Sequence, residues 1–331
     1  MRCAVVGAGA WGTALADLLA RNGEDVHLWA REPDVVESIN TDHENRRFLP
    51  GAPLHAGVRA SGSLPAALEG VTVAVLATPS QVLRSVVRAC ASAFPRSAVV
   101  AVASKGIERD SLRVMTDVAG AELPGRPIVA LSGPSFAAEV AARQPTAVVA
   151  ASTDEAAAEL VQGICSSSTF RVYTQHDVVG VELGGALKNV MAVATGMVEG
   201  LGLGFNTRAA LITRGLAEMS RLGVAMGADP ATFAGLAGLG DLVLTCTGSL
   251  SRNRAAGIEI GRGGTLQEAL AGKQTVAEGI DTTRSARALA RREGVEMPIV
   301  NAVFHILFEG TSARDAIGEL MTRDLRPERD A

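Results

Sequence analysis

Neither sign of charge is in excess in this 331-residue chain: 31 Lys and Arg stand against 35 Asp and Glu, a formal net charge of −4. That balance excludes the broad basic surface that nucleic-acid binding needs, so any anion has to be held locally. Cysteine is scarce as well. Cys3, Cys90, Cys165 and Cys246 are scattered, with no CxxC pair and no ligand cluster. This argues against a disulfide framework or a zinc site and fits reduced thiols in the cytoplasm. The five histidines fall at no metal-ligand spacing, and no metal is expected. Long apolar runs are also missing: those at 71–77 and 98–103 are far short of the roughly 20 residues that cross a bilayer. They read as buried parallel strands, and stable membrane insertion is not expected. The opening MRCAVVGAGAWGTALADLLA resembles a signal peptide only superficially, because glycine punctuation and Asp17 interrupt it.

What is present is alternation. Residues 2–6 predict a strand, 10–22 a helix and 25–29 a second strand, and further strands are expected near 71–76, 98–103, 128–131, 146–150 and 169–173. Helical patterns such as SQVLRSVVRACASA and SFAAEVAA separate them, and Ser152 with Glu155 has the spacing of a capping box. The implied architecture is an α/β, Rossmann-type doubly wound sheet with ligands at the carboxyl ends of its strands. From Asp177 onward the stretches are long, helical and nearly free of strand signals. Two domains are therefore expected, a dinucleotide-binding domain over 1–177 and an all-helical substrate domain over 178–331. The absence of a hydrophilic linker implies that they pack closely.

The run VVGAGAWGTALA supplies Gly7, Gly9 and Gly12 as G-x-G-x-x-G at a strand-to-helix turn. In that setting the first glycine permits the turn, the second lets backbone approach a pyrophosphate, and the third allows close helix-strand packing. A turn that merely packs a helix on a sheet uses the same residues. The second strand ends WAREP, so Arg31 stands near the place where a carboxylate takes the ribose hydroxyls of NAD. It suits the 2′-phosphate of NADP, equally fits a solvated strand end, and is tempered by the adjacent Glu32. Use of both NADPH/NADP+ and NADH/NAD+ follows as an expectation.

Lys188, in VELGGALKNVMAVAT, has a small, mostly apolar helical face with no acidic partner on its own helix. An ammonium buried there calls for a lowered pKa or a bound anion, and such a lysine suits proton transfer to a carbonyl. Snorkelling to water from a helix edge is the alternative. Lys105 follows an apolar strand and so sits at the ligand edge of the sheet or in an ordinary loop. In SGPSFAAE, Gly133 and Ser135 lie between a strand and a helix, with Ser135 a candidate N-cap. In GLGDLVLTCTGSLSRNR, Asp241 and Thr245 precede Ser251, Arg252 and Asn253, which read as an anion receptor or as a solvated basic turn.

Together, GAGAWGTALA, SKGI, SGPSFAAEV, GVELGGALKNVMAVATG, the long stretch from Thr207 to Arg254 and EGVEMPI closely resemble bacterial NAD(P)-dependent glycerol-3-phosphate dehydrogenases, from about residue 2 to 320. The resemblance implies reversible reduction of dihydroxyacetone phosphate to sn-glycerol 3-phosphate, the glycerol backbone of phospholipids. It places the proton donor and acceptor at Lys188. It implies cofactor contacts at Gly7, Gly9, Ala10, Trp11, Gly12, Arg31, Lys105, Ala137, Arg252, Val276 and Glu278. Substrate contacts are implied at Lys105, Gly133, Ser135, Lys188, Asp241, Ser251, Arg252 and Asn253. Where many relatives carry Ser, this chain has Ala10, which leaves only backbone to meet the pyrophosphate. Arg31 followed by Glu32 puts strict NADPH use in doubt. A cytoplasmic enzyme is implied, and a homodimer is left open.

Overall fold

A computed structural model describes residues 1–270 and 277–328. Apolar segments bounded by turn residues form the strands β1 (Arg2–Val6), β2 (Asp25–Trp29), β3 (Glu44–Asn45), β4 (Leu49–Pro53), β5 (Val58–Ser61), β6 (Val73–Leu76), β7 (Val99–Val102), β8 (Ile128–Ser132), β9 (Thr146–Ala151) and β10 (Phe170–Gln175). Eight of them make one sheet in the order β10-β9-β8-β7-β6-β1-β2-β5. All neighbours are parallel except β8 and β9, which pair antiparallel with Leu131 opposite Ala150. The strand order reverses direction between β1 and β6, which opens the crevice where doubly wound sheets bind ligands. Strands β6 and β7 are buried along their whole length, as near-continuous apolar composition requires when helices cover both faces. One apolar cluster, containing Val5, Leu15, Leu28 and Val75, fills one side of the sheet. Another, with Val6, Leu76, Val100 and Met115, fills the other.

Three local expectations are corrected. Strand β5 and the small β3–β4 ladder were not foreseen; β5 has four residues with burial on alternate positions only. Ser152 does not cap the helix Glu155–Cys165. Asp154 does, accepting from the Ala157 N–H, while the Ser152 hydroxyl accepts from Asp154 N–H and donates to the Ile128 carbonyl. Ser135 is not an N-cap either, since the helix Ala137–Ala141 begins two residues later and Ser135 donates instead to the Gly133 carbonyl.

After β10 the described chain is helical. Asp177 caps the 23-residue helix Val178–Gly200 by accepting from Gly180 N–H, and every residue from Gly180 to Val198 is buried. Two segments, Val178–Gly200 and Pro230–Thr247, are long and apolar enough to cross a membrane by length and composition alone. Of the first, 89% of the most apolar window is buried inside the protein, so it is the core of the helical domain. The remaining helices pack around it. Its closest neighbour is the helix Arg252–Gly261. A Cβ on Gly196 would lie 2.1 Å from the Arg254 carbonyl oxygen, and one on Gly257 would lie 2.1 Å from that of Val193. The two backbones touch, and the crossing fixes the start of the second helix over the middle of the first.

Candidate active site

The glycine turn brings strand, turn and helix backbone into close contact. Gly7 takes φ +116°, and a Cβ there would lie 2.8 Å from the Ala77 carbonyl oxygen at the end of β6. A Cβ on Gly12 would lie 1.9 Å from the Gly7 carbonyl oxygen, so the helix Ala10–Arg21 starts directly against the turn. Gly9, its N-cap, has nothing within 4 Å of where a Cβ would stand. The uncapped first turn therefore opens onto space with its N–H groups and partial positive charge exposed to an anion. The Trp11 indole N–H is buried without a partner, as expected of a donor that awaits a ligand. Ala10, Trp11 and Ala137 pack against the same core beside it. These features fit a bound dinucleotide. At the end of β2, Arg31 is exposed and donates from Nε and Nη2 to Glu32 Oε1 at 3.1 and 2.8 Å.

The second half of the site grows from the central helix. Lys188 is 7% exposed, and its Nζ lies 2.5 Å from Asp241 Oδ1 and 2.9 Å from Thr245 Oγ1. The acidic partner that its own helical face lacks comes from another helix, 53 residues along the chain. Lys105 reaches the same carboxylate from the end of β7, with Nζ 2.7 Å from Asp241 Oδ2 and 3.1 Å from the Gly133 carbonyl oxygen. Asp241 is fully buried. One carboxylate thus serves two lysines, which leaves a net positive charge for an incoming anion or carbonyl dipole.

Close approach makes this possible. A π-helical turn, Leu236–Gly240, precedes the helix Asp241–Thr247, and a Cβ on Gly184 would lie 2.4 Å from its Ala237 carbonyl oxygen. One on Gly185 would meet Ser132 Oγ at 2.7 Å and the stem of Lys105 at 3.4 Å. The glycine pair admits the π turn on one side and Lys105 on the other. Burial pushes the Lys188 ammonium down to about 8, with Lys105 adding to the fall and Asp241 resisting it. A proton can then leave and return near neutral pH.

The SRNR segment divides by role. Ser251 caps the helix Arg252–Gly261 by accepting from Arg254 N–H, and Arg254 is held by the Glu199 carboxylate at 2.7 Å. Asn253 is 9% exposed; it accepts from Gly279 N–H and donates to Asn189 Oδ1, both at 2.9 Å. Among the described residues, Arg252 alone of this segment has no side-chain partner. It is open to solvent on one side, and the protein crowding its other side lowers its pKa, an effect that the Glu278 carboxylate opposes. Glu278 accepts from the Ser80 hydroxyl and N–H at 2.5 and 3.2 Å, tying the helical domain to the loop after β6. Val276 lies outside the described residues.

The expected residues therefore form two clusters that meet on the central helix. Lys105, Gly133, Ser135, Lys188 and Asp241 form one, Ser251, Arg252, Asn253 and Glu278 the other, and the adjacent Lys188 and Asn189 join them. Sequence reading missed Asn189, Ser80 and the buried Glu182, whose carboxylate accepts from Thr116 N–H and Oγ1 at 2.7 and 2.8 Å across the two domains. The position of Asn189 next to Lys188 was the available signal.

Family models match two consecutive stretches of the chain. Residues 2–158 match the NAD-dependent glycerol-3-phosphate dehydrogenase N-terminus, and 177–318 match the C-terminus of that family. Glycerol-3-phosphate dehydrogenase [NAD(P)+] of Geobacter metallireducens is 57% identical over 330 residues, covering 98% of each chain. That of Geobacter sp. strain M21 is 54% identical over 330 residues, covering 99% of this chain and 98% of its own. The crystal structure of glycerol-3-phosphate dehydrogenase from Coxiella burnetii superposes with a TM-score of 0.94 at 42% identity, covering 97% of this chain and 99% of that one.

Proposed function

The chain belongs to the NAD-dependent glycerol-3-phosphate dehydrogenase family, and from that premise we propose how its own residues divide the work. It is an NAD(P)-dependent oxidoreductase that interconverts dihydroxyacetone phosphate and sn-glycerol 3-phosphate. The nicotinamide cofactor supplies or accepts the hydride. Residues 1–177 hold that cofactor on the glycine turn Gly7, Gly9 and Gly12, beside Ala10, Trp11, Arg31 and Ala137. Residues 178–331 carry the proton chemistry and the phosphate grip. The end of β10 at Gln175 and the Asp177 cap of the next helix support that division.

Lys188 gives a proton to the carbonyl oxygen during reduction and takes it back during oxidation. The observation that carries this role is the shared carboxylate: Asp241 holds Lys188 and Lys105 on its two oxygens. Thr245 gives its proton to the Asp241 carbonyl at 2.6 Å and so meets Lys188 as an acceptor. Two of the three ammonium protons are thereby committed, and the third points to substrate. Lys105, with Gly133 and Ser135, orients the substrate. Arg252, at the start of a helix capped by Ser251, takes the phosphate by charge-assisted bonds. Asn253 fixes the turn through Asn189 and Gly279, and Glu278 closes the cofactor side through Ser80. Grip on the phosphate aligns the carbonyl, and remote binding energy is thereby turned into rate.

The reading places the enzyme in the cytoplasm, without stable membrane insertion or nucleic-acid partner, where it supplies glycerol backbones for phospholipids. Four buried free thiols support a reducing compartment. The test follows NADPH and NADH oxidation separately at the reduced-nicotinamide absorbance band with dihydroxyacetone phosphate, with ketopantoate and with no substrate. Oxidation dependent on dihydroxyacetone phosphate is expected with both cofactors. Turnover of ketopantoate in its place overturns the substrate reading.

A further inference from the structure

Rossmann-type sites separate the two nicotinamide cofactors at the end of the second strand, where a carboxylate takes ribose hydroxyls and an arginine takes a 2′-phosphate. This chain carries both, side by side. Glu32 is the N-cap residue of the helix Pro33–Asp42, yet its side chain makes no capping bond. It turns back on Arg31, and both guanidinium bonds fall on one oxygen, Oε1. That leaves Glu32 Oε2 with no bond among the described residues. Arg31 Nη1 is likewise free, while its Nε–Nη2 edge, the edge that grips a phosphate with two parallel bonds, is engaged. The Arg31 side chain is 82% exposed and that of Glu32 18%.

We propose that Glu32 sets the cofactor preference of this chain. It occupies the two-donor edge of Arg31 against a 2′-phosphate and offers its free oxygen to the hydroxyls of an unphosphorylated ribose. The inference rests on the reading of Arg31 as a cofactor contact. A cofactor lacking the 2′-phosphate needs no rearrangement of the pair. A phosphorylated one has to draw Arg31 away from Glu32, or bind through Nη1 alone beside a carboxylate of its own sign. Because an exposed ion pair contributes little by itself, releasing it is easy. The lasting effect is repulsion between carboxylate and phosphate, which lets both cofactors bind and holds their affinities close together.

The chain's two tryptophans, Trp11 in the glycine turn and Trp29 at the end of β2, give a binding signal that needs no turnover. NADPH and NADH are titrated separately by tryptophan quenching into the unmodified enzyme, Glu32→Gln, Arg31→Ala and the double variant, at low and high salt. Glu32→Gln is expected to tighten NADPH by about tenfold and to weaken NADH by a few-fold, with the NADPH gain shrinking as salt screens it. The double variant is expected to lose the gain. If Arg31→Ala weakens NADPH while Glu32→Gln leaves the ratio of the two dissociation constants unchanged, the Glu32 assignment is overturned and the Arg31 reading stands. If Arg31→Ala leaves NADPH binding unchanged, both are overturned.

Discussion

Asp241→Asn removes the charge that holds two lysines together while leaving nearly the same shape. In the unmodified enzyme Lys188 stands at about 8 because burial and Lys105 lower it and Asp241 raises it. An opposite charge within hydrogen-bond distance is ordinarily worth about 1 to 3 pKa units to the group it faces. Without it, the two lysines also repel each other with nothing between them. The Lys188 pKa is therefore expected to fall to roughly 5 to 7. Reduction requires the ammonium, so activity is present below the Lys188 pKa and lost as pH rises through it; oxidation requires the neutral amine and has the opposite limb. The assay is kcat/KM for dihydroxyacetone phosphate against pH at constant ionic strength, which reports the groups of the enzyme before substrate binds. For the unmodified enzyme the descending limb is expected near 8, and for Asp241→Asn at least about one unit lower. At neutral pH the variant loses reduction through the missing proton and through loss of the bond that aims Lys188. Tryptophan-monitored cofactor binding and Tm on the same samples separate this from unfolding. A folded variant whose descending limb stays near 8 would refute the claim that Asp241 sets the proton affinity of Lys188.

Lys188→Ala is expected to lower kcat by roughly 10² to 10⁴, the usual contribution of a positioned acid or base, with cofactor binding intact. Lys188→Arg should restore little because a guanidinium scarcely releases its proton; near-normal turnover in folded Lys188→Ala would remove Lys188 from the mechanism. Arg252→Ala is expected to reduce kcat/KM for dihydroxyacetone phosphate by on the order of 10² and to affect free dihydroxyacetone far less. Equal proportional losses would show that Arg252 does not hold the phosphate. Glu218 is a pH test away from the site: its buried carboxyl accepts from Ile299 and Val300 N–H, and burial pushes it up to about 7 against those bonds. The folded chain then holds a proton that the unfolded chain releases near the ordinary 4.5, so stability falls as pH rises between those values, by on the order of 3 kcal/mol. Glu218→Gln should flatten the fall of Tm over that window, leaving the part due to Glu182, which is also pushed up to about 7 by burial. An unchanged slope would refute it.

The sheet was legible wherever burial on both faces wrote a continuous apolar run bounded by turn residues. VVAV in β7 and VAVL in β6 are of this kind. It was not legible where a strand lies at the edge: β5 buries only Val58 and Ala60, and β4 is LPGAP, whose glycine and prolines argue against a strand. Caps failed for a related reason. Ser135 sits one residue before the N-cap position Phe136 and Ser152 two before the cap Asp154, and each hydroxyl donates instead to a backbone carbonyl, of Gly133 and of Ile128.

The site was legible as residue types and not as pairs. The small apolar face around Lys188 announced a buried lysine, because nothing on that helix could solvate it. Its partner could not be read from spacing, since Asp241 arrives through a π turn that fits only against Gly184. Likewise SRNR offered three side chains of similar chemistry, and only packing assigns them. Arg254 is consumed by Glu199 and Asn253 by Asn189 and Gly279, which leaves Arg252 as the cation of this segment with no side-chain partner among the described residues. That sorting depends on where the helix Arg252–Gly261 begins over the central helix, and backbone contact at Gly196 and Gly257 fixes that point. Those glycines lie between the two helices, and a methyl group on either would force them apart and carry Arg252 away from Lys188. The glycines in VATG and RAAG, which composition alone files as ordinary small residues of a helix, therefore set the distance between Arg252 and Lys188.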